Sequence, residues 1–172
     1  MTDSAVPPGY ELLDSISPFH ALVGPLYEKN EPDAFHVGMV VAQKHLNTHG
    51  IVHGGMICTL VDFAMGYAAR FVTDPPRQLV TTNLSVDFAG NARVGDWIEA
   101  RVDVMRPGRQ VAFVNCFVYH AGDRIARGSG TFLVLRRGGC RHPGRGDQLP
   151  RSALQTFSRV VGMSMCLSPV RA

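Results

Sequence analysis

The stretch "HLNTHGIVHGGMICTLVDFAMGYAAR", His45 to Arg70, joins a glycine-containing loop to a helix. Between residues 55 and 71 the apolar residues recur at intervals of three and four, which is the spacing of one face of an α-helix. They are Ile57, Leu60, Val61, Ala64, Met65 and Ala68. The pattern therefore predicts a helix over residues 55–71, which Pro75 and Pro76 cannot continue.

Asp62 is the only acid of this stretch. At about 100° per residue, the side of the helix that carries Asp62 otherwise carries small residues, namely Gly55, Cys58, Thr59, Gly66 and Ala69. Small residues allow another backbone or a ligand to come close. A solvated acid on a wet face is the alternative, but the Lys/Glu pairs of such a face are missing here. We therefore expect a surface of close approach around Asp62.

The start of the helix has free N–H groups and the positive end of the helix dipole, and both stabilise an oxyanion. Gly54 and Gly55 lack side chains that would keep a carbonyl oxygen from these donors. Asp62 lies eight residues after Gly54, which is about 12 Å of helix rise. A carboxylate acting on that carbonyl must lie within about 3–5 Å of it. Two antiparallel helices about a two-fold axis satisfy both conditions, so we predict a homodimer with shared sites.

Strand-like segments surround the helix, and turn residues such as Pro107-Gly108 and Gly122-Asp123 separate them. Loops this short favour antiparallel neighbours. Residues 15–30 instead predict a short helix or irregular cap, broken at Pro18 and Pro25. The predicted fold class is α+β, with one long helix against a curled antiparallel sheet of about five strands. The five predicted strands cover residues 34–43, 79–89, 96–105, 110–120 and 124–135.

Composition excludes several classes of protein. The chain of 172 residues suits one domain, and it has no run of about 18 apolar residues that would span a membrane. No secretory signal opens the sequence, so we expect a cytoplasmic protein. Residues 1–135 hold 10 basic and 13 acidic side chains, whereas residues 136–172 hold seven Arg and one Asp. The net charge of +3 therefore comes from the end of the chain, and no nucleic-acid surface is expected.

Metal and cofactor sites are not expected either. The four cysteines are widely spaced without a C-x-x-C pair. His45, His49 and His53 recur every four residues, but Gly50 interrupts any helix there and no acid accompanies them.

Three segments together resemble a known family. They are "LNTHGIVHGGMICTLVDFAMGYAA", "LVTTNLSVDF" and "RPGRQVAFVNCFVYHAGDRIARGSGTFLVL". The chain resembles the hotdog-fold acyl-CoA thioesterases of the phenylacetate-pathway (PaaI-like) type. This resemblance implies a hotdog domain over residues 19–135, preceded by a leader (1–18) and followed by a basic tail (136–172). It also implies dimers that pair into tetramers, and hydrolysis of an acyl-CoA substrate.

The resemblance further suggests catalytic roles. Asp62 corresponds to the carboxylate that attacks the thioester or activates water, and Gly54 to the glycine whose N–H polarises the carbonyl. Asn47 corresponds to a residue that positions water or substrate, although by spacing alone it equally fits a cap of the turn at Gly50. His53 corresponds to the histidine that orders the loop, and Thr81 to a hydroxyl residue beside the acid.

Five further residues are candidates for contact with substrate or CoA, namely Gly55, Thr59, Phe88, Arg106 and Arg109. Arg106 and Arg109 bracket the Pro107-Gly108 turn, where guanidinium groups would meet CoA phosphates. Solvated arginines at a hairpin are the more ordinary interpretation of that pair.

Competing functions remain open at this point. The absence of G-x-S-x-G argues against an α/β-hydrolase. A module of the same fold that binds acyl-CoA without hydrolysis, or a hydratase acting on enoyl-CoA, would share much of the pattern. The arginine-rich tail also allows an adaptor for an acidic partner.

Overall fold

The computed structural model describes residues 6–13, 17–31 and 34–135. These residues form seven strands and two α-helices. In chain order they are β1 (Glu11–Leu12), α1 (Pro18–Val23), β2 (Tyr27–Glu31), β3 (Ala34–Val40), α2 (Gly54–Phe71), β4 (Leu79–Phe88), β5 (Trp97–Pro107), β6 (Val111–His120) and β7 (Asp123–Val134). A 3-10 turn, Gln43–His45, lies between β3 and the loop that leads to α2.

One antiparallel sheet contains all seven strands, in the order β1-β2-β3-β5-β6-β7-β4. Helix α2 packs across β3 to β7. Its apolar face is buried, and Leu60, Val61, Ala64 and Met65 on it have no solvent exposure. The predicted α+β class is confirmed: a curled antiparallel sheet wraps one long helix.

Two glycines of β7, Gly128 and Gly130, lie where α2 packs against the sheet. A Cβ added at Gly130 would lie 2.9 Å from Met65 Cε, and one added at Gly128 would overlap Val61 Cγ1. The helix therefore approaches the backbone of β7 where no side chain intervenes.

The strand count differs from the prediction, because β1 and β2 were not expected. Strand β2 reads "YEKNE", with charged residues and no alternation of apolar side chains, so its sequence carries no strand signal. Pro18 is also not a break. It occupies the first turn of α1, where its missing N–H costs nothing, and Ser17 is the N-cap.

Strand β1 brings residues 11–12 of the predicted leader into the sheet. The predicted basic tail, 136–172, lies outside the described residues. Among the helices that the structure describes, none is both long enough and apolar enough to cross a bilayer.

Candidate active site

The start of α2 offers one free hydrogen-bond donor. His53 is the N-cap residue, and its Nδ1 accepts the Gly55 N–H at 2.8 Å. The carbonyl oxygen of His53 accepts from Met56 and Ile57. The Gly54 N–H, in contrast, meets no acceptor within the described part of the chain. His53 therefore orders the first turn and leaves this donor available to a ligand.

Phe88, at the end of β4, forms the wall beside this donor. A Cβ added at Gly54 would lie 3.4 Å from Phe88 Cζ. The Phe88 side chain is 52% exposed, so the ring still faces solvent on one side. A glycine at position 54 thus leaves room between the helix start and an apolar surface.

Asp62 is partly buried on α2 and is held from β4. Thr81 Oγ1 donates a hydrogen bond of 2.8 Å to Asp62 Oδ1. A hydrogen bond from a hydroxyl group fixes the orientation of the carboxylate. The structure therefore brings together the acid and the hydroxyl residue that the sequence singled out.

A β-bulge makes this contact compatible with the packing of β4. The pairing of β4 with β7 shifts between Thr81 and Asn83. Thr81 and Leu84 are three residues apart, so in a regular strand they would point to opposite faces. The bulge lets Thr81 reach Asp62 while Leu84 also packs against the core.

The two halves of the site remain apart in one chain. Helix α2 is continuous from Gly54 through Asp62, so the eight-residue separation corresponds to about 12 Å. Thr81 lies at the acid and Phe88 lies at the glycine. The described chain therefore presents two half-sites rather than one assembled centre.

The small-residue face around Asp62, expected to be a surface of close approach, has two halves in the structure. Gly55 is exposed, and Thr59 and Asp62 are partly exposed. Further along, a Cβ at Gly66 would lie 3.3 Å from the Phe132 ring, and Ala69 is buried. At this half of the face the close approach is made by β7 of the same chain, and close approach of a ligand or a second copy at Gly55, Thr59 and Asp62 stays a prediction.

The loop before α2 is organised by Asn47. Its Oδ1 accepts the N–H groups of His49 at 2.8 Å and Ile51 at 3.4 Å, and its own N–H donates to Ile51 O. The structure thus gives Asn47 the turn-capping role that the sequence allowed. A role toward water or substrate stays a prediction.

The predicted substrate-contact residues are dispersed. The Thr59 hydroxyl donates back to Gly55 O at 2.9 Å, so its proton is used within the helix. Arg106 and Arg109 are exposed at the β5–β6 hairpin. Sequence reasoning missed Arg77, whose Nη1 donates to the carbonyl oxygens of Pro107 at 3.2 Å and Gly108 at 2.7 Å. Arg77 therefore holds this hairpin beside the start of β4.

His20 was also missed, because its segment was interpreted as a short helix or irregular cap without a functional residue. Its ring lies edge-on to Phe63, with centroids 4.3 Å apart. Burial lowers the pKa of His20, and the Asp62 carboxylate opposes this by raising it. The Ser-Pro pair at residues 17–18, an N-cap followed by a first-turn proline, is the signal that could have decided for the helix and placed its start.

No group of three or more His, Cys, Asp or Glu side chains in the described ranges is arranged to hold a metal ion.

Comparison with known proteins identifies the family. A sequence profile of the Thioesterase superfamily matches residues 49–126. A Pseudomonas aeruginosa protein named as an esterase, PA0474, is 39% identical over 129 residues, which cover 74% of this chain and 96% of that protein. Acyl-coenzyme A thioesterase 13 of Mus musculus is 26% identical over 102 residues, covering 58% of this chain and 72% of its own.

Among solved structures, a variant of the phenylacetic acid degradation protein PaaI from Thermus thermophilus superimposes with a TM-score of 0.60. It is 28% identical and covers 69% of this chain and 100% of its own. The chain belongs to the thioesterase superfamily, with the hotdog fold and the PaaI-like resemblance that its sequence predicted. It is accordingly a thioester hydrolase.

Proposed function

We propose that the protein hydrolyses an acyl-CoA thioester to a carboxylic acid and free CoA, at a site shared by two copies of the chain. The observation that carries the proposal is the hydrogen bond from Thr81 to a partly buried Asp62. This hydrogen bond orients the Asp62 carboxylate in the middle of α2. The free Gly54 N–H lies at the start of the same helix, about 12 Å away. The name of the mouse relative, an acyl-coenzyme A thioesterase, supports the choice of CoA ester.

In this proposal the thioester carbonyl oxygen accepts the Gly54 N–H of one copy. Asp62 of the other copy activates water or attacks the carbonyl carbon. A donor of this kind typically lowers the barrier by roughly 3–4 kcal/mol, and a positioned base accelerates the reaction by about 10²–10⁴-fold. Asn47, Phe88, Arg106 and Arg109 would line the approach of the substrate.

Gly54→Pro tests the backbone donor directly. Proline removes the N–H but suits the first position of a helix. His53, with φ −67° and ψ 135°, already has the extended conformation that a following proline requires. We expect kcat to fall about 10²–10³-fold, measured as thiol release from acyl-CoA.

Gly54→Ala is the matched control, since it adds a methyl group but keeps the donor. Its kcat should stay well above that of the proline variant. Equal losses in the two variants would contradict the role of the N–H. Two other outcomes would favour the competing functions. Saturable binding of acyl-CoA without CoA release, unchanged by Asp62→Ala, would favour a module that binds acyl-CoA without hydrolysis. Addition of water to enoyl-CoA would favour a hydratase.

The acyl group is best approached with a panel of acyl-CoAs compared by kcat/KM. One structural neighbour is named for phenylacetic acid degradation, so we propose that aryl-acetyl esters be tested first, beside medium and long chains. Pairing of dimers into tetramers and a cytoplasmic location stay predictions.

A further inference from the structure

A group of three arginines lies where α2 ends and β4 begins. Arg77, just before β4, donates its backbone N–H to the carbonyl oxygen of Arg70, in the last turn of α2, at 3.1 Å. Its side chain reaches the β5–β6 hairpin, where Nη1 donates to the carbonyl oxygens of residues 107 and 108. Arg106 and Arg109 flank those two residues and are exposed. Arg77, Arg106 and Arg109 are called the arginine cluster below.

The arginine cluster has no counter-charge bound to it within the described part of the chain. No carboxylate there forms an ion pair with any of the three guanidinium groups, whereas Arg127 of β7 pairs with Asp87. The acids of the adjoining segments are Asp74 and Asp103, and both are exposed. A guanidinium group without a carboxylate partner can bind phosphate through charge-assisted hydrogen bonds.

The hairpin that carries Arg106 and Arg109 has a fixed shape. A Cβ added at Gly108 would lie 2.3 Å from Val111 O, so the turn closes without room for a side chain there. The Gly108 N–H donates to Arg106 O at 2.9 Å, and Arg77 holds the turn from the side of β4. Binding of a ligand therefore requires little ordering of the backbone, which favours a binding role for these arginines.

The distance from the arginine cluster to Asp62 suits the pantetheine arm of CoA. Thr81 contacts Asp62 and Arg77 contacts Arg70, so α2 and the start of β4 run side by side in opposite directions. The eight residues of helix from Asp62 to Arg70 correspond to about 12 Å. The four residues of extended chain from Thr81 to Arg77 correspond to at most about 14 Å. The pantetheine arm, which joins the thioester sulfur of CoA to its diphosphate, reaches across a gap of this size.

The length of α2 decides which copy can hold the nucleotide. In a site made of Asp62 from one copy and Gly54 from the other, the second copy's own cluster is remote. Gly54 and Arg70 are the first and the seventeenth residues of α2, which places them about 24 Å apart. The cluster of the copy that supplies Asp62 is therefore the one within reach of the thioester.

We propose that the arginine cluster binds the phosphate groups of the CoA nucleotide, in the copy that supplies Asp62 to the shared site. The proposal rests on the proposed function. Arg106 and Arg109 donate to the phosphates, and Arg77 is a positioning residue that holds their hairpin. An acyl-carrier protein presents the same pantetheine arm, but a stable protein interface covers about 800 Å² on each partner. One hairpin with three arginines matches a nucleotide instead.

The first test measures binding and does not depend on turnover. Free CoA and pantetheine, which lacks the nucleotide, are titrated into the full chain by calorimetry. In the double variant Arg106→Gln/Arg109→Gln we expect the Kd for CoA to rise about 10- to 100-fold, because bonds to phosphate are lost, while the Kd for pantetheine stays the same. Arg127→Gln removes one charge from β7 and is the control. Unchanged binding of CoA in the double variant, or an equal loss in Arg127→Gln, would overturn the proposal.

The second test separates positioning of the hairpin from general stability. Arg77→Gln should raise the KM for acyl-CoA with little change in kcat, and Arg77→Lys should restore most of the loss, because lysine can donate to the same carbonyl oxygens. Acyl-pantetheine is the internal reference. A KM that rises alike for both esters would show that Arg77 has no role toward the nucleotide. A preference for an acyl-carrier-protein ester over acyl-CoA, lost in the double variant, would overturn the assignment to CoA.

Mixed dimers decide which copy binds the nucleotide. When Asp62→Ala and Gly54→Pro chains are refolded together, the intact site takes its acid from the Gly54→Pro chain. Adding Arg106→Gln and Arg109→Gln to that chain should raise the KM for acyl-CoA far more than adding them to the Asp62→Ala chain. The opposite pattern, or equal effects, would overturn the assignment to one copy. A mixture without activity would refute the shared site of the proposed function, and the CoA titration would still decide whether the cluster binds the nucleotide.

Discussion

At the scale of single residues, the hydrogen bond from Thr81 to Asp62 gives a direct test of the proposed reaction. Thr81→Val removes the donor but keeps the shape of the side chain. A hydrogen bond to a charged group contributes about 1.5–3 kcal/mol, so we expect kcat to fall roughly 10- to 100-fold. The loss should appear in kcat more than in KM, and steady-state kinetics measure it.

Thr82→Val is the matched control for this prediction. Thr82 is the next residue of β4, and its hydroxyl contacts Thr131 rather than the acid. Its kcat should stay near that of the wild type, and Thr81→Ser should recover most of the lost rate. If Thr81→Val and Thr82→Val behave alike, the hydroxyl at Asp62 has no special role.

The sequence alone points to the site residues Asp62 and Gly54 but not to all of the contacts that they make. Asp62 is conspicuous because it is an unexplained acid on an apolar helix, and Gly54 because it starts that helix. The contact with Thr81 depends on the bulge before Asn83, and no residue type at that point predicts it. His20 packs against Phe63 from a distant part of the chain, so this contact is a matter of tertiary structure alone.

At the scale of elements, the close packing of α2 against Gly128 of β7 predicts that a side chain at position 128 destabilises the fold. In Gly128→Ala the new methyl group would overlap Val61, a stiff β-branched side chain with no solvent exposure. We expect the free energy of unfolding to fall by about 1–3 kcal/mol, as measured by urea denaturation.

A double-mutant cycle makes that prediction specific. Val61→Ala alone is destabilising because it leaves a cavity. Combined with Gly128→Ala, the added methyl group occupies part of that space, so the double variant should lose less than the sum of the two. Strictly additive losses would show that the two residues do not press on each other.

The hydrogen bond between His45 in the 43–45 turn and Val23 at the end of α1 predicts that the free energy of unfolding depends on pH. Burial lowers the pKa of His45, and the bond to Val23 only partly offsets this. The unfolded chain therefore takes up a proton before the folded one does. Stability should be complete above about pH 6.5 and should decline as the pH falls from there toward the folded pKa.

Unfolding in urea at several pH values between about 7.5 and 5 measures this effect. His45→Gln removes one titrating group, so its stability should vary less with pH, although His36 and His20 contribute in the same direction. His49→Gln should keep the slope of the wild type. An identical slope in His45→Gln would contradict the assignment.

At this scale the sequence predicted α2 and five strands with ends displaced by at most a few residues. These elements have strong periodicity or clear turns. Strand β2 was missed because it contributes few apolar side chains and is held by pairing with β3 along its length. Such a strand is defined by its neighbours rather than by its own residues.

At the scale of the whole molecule, the shared site predicts complementation between two inactive variants. Asp62→Ala and Gly54→Pro chains, unfolded and refolded together, should form mixed dimers that each contain one intact site. With random pairing, half of the dimers are mixed, and about a quarter of wild-type activity should return. A mixture without activity would show that each site lies within one chain.

The free edge of β4 affects how such experiments must be handled. Within the described part of the chain this strand pairs only with β7, and its ten residues include neither Lys nor Pro. Its single charge, Asp87, is already engaged by Arg127. An edge strand without Lys, Pro or a free charge can pair with a strand of another chain. A chain whose β4 edge is uncovered is therefore prone to pair with other chains and to precipitate, so refolding at low protein concentration should give the higher yield of soluble protein.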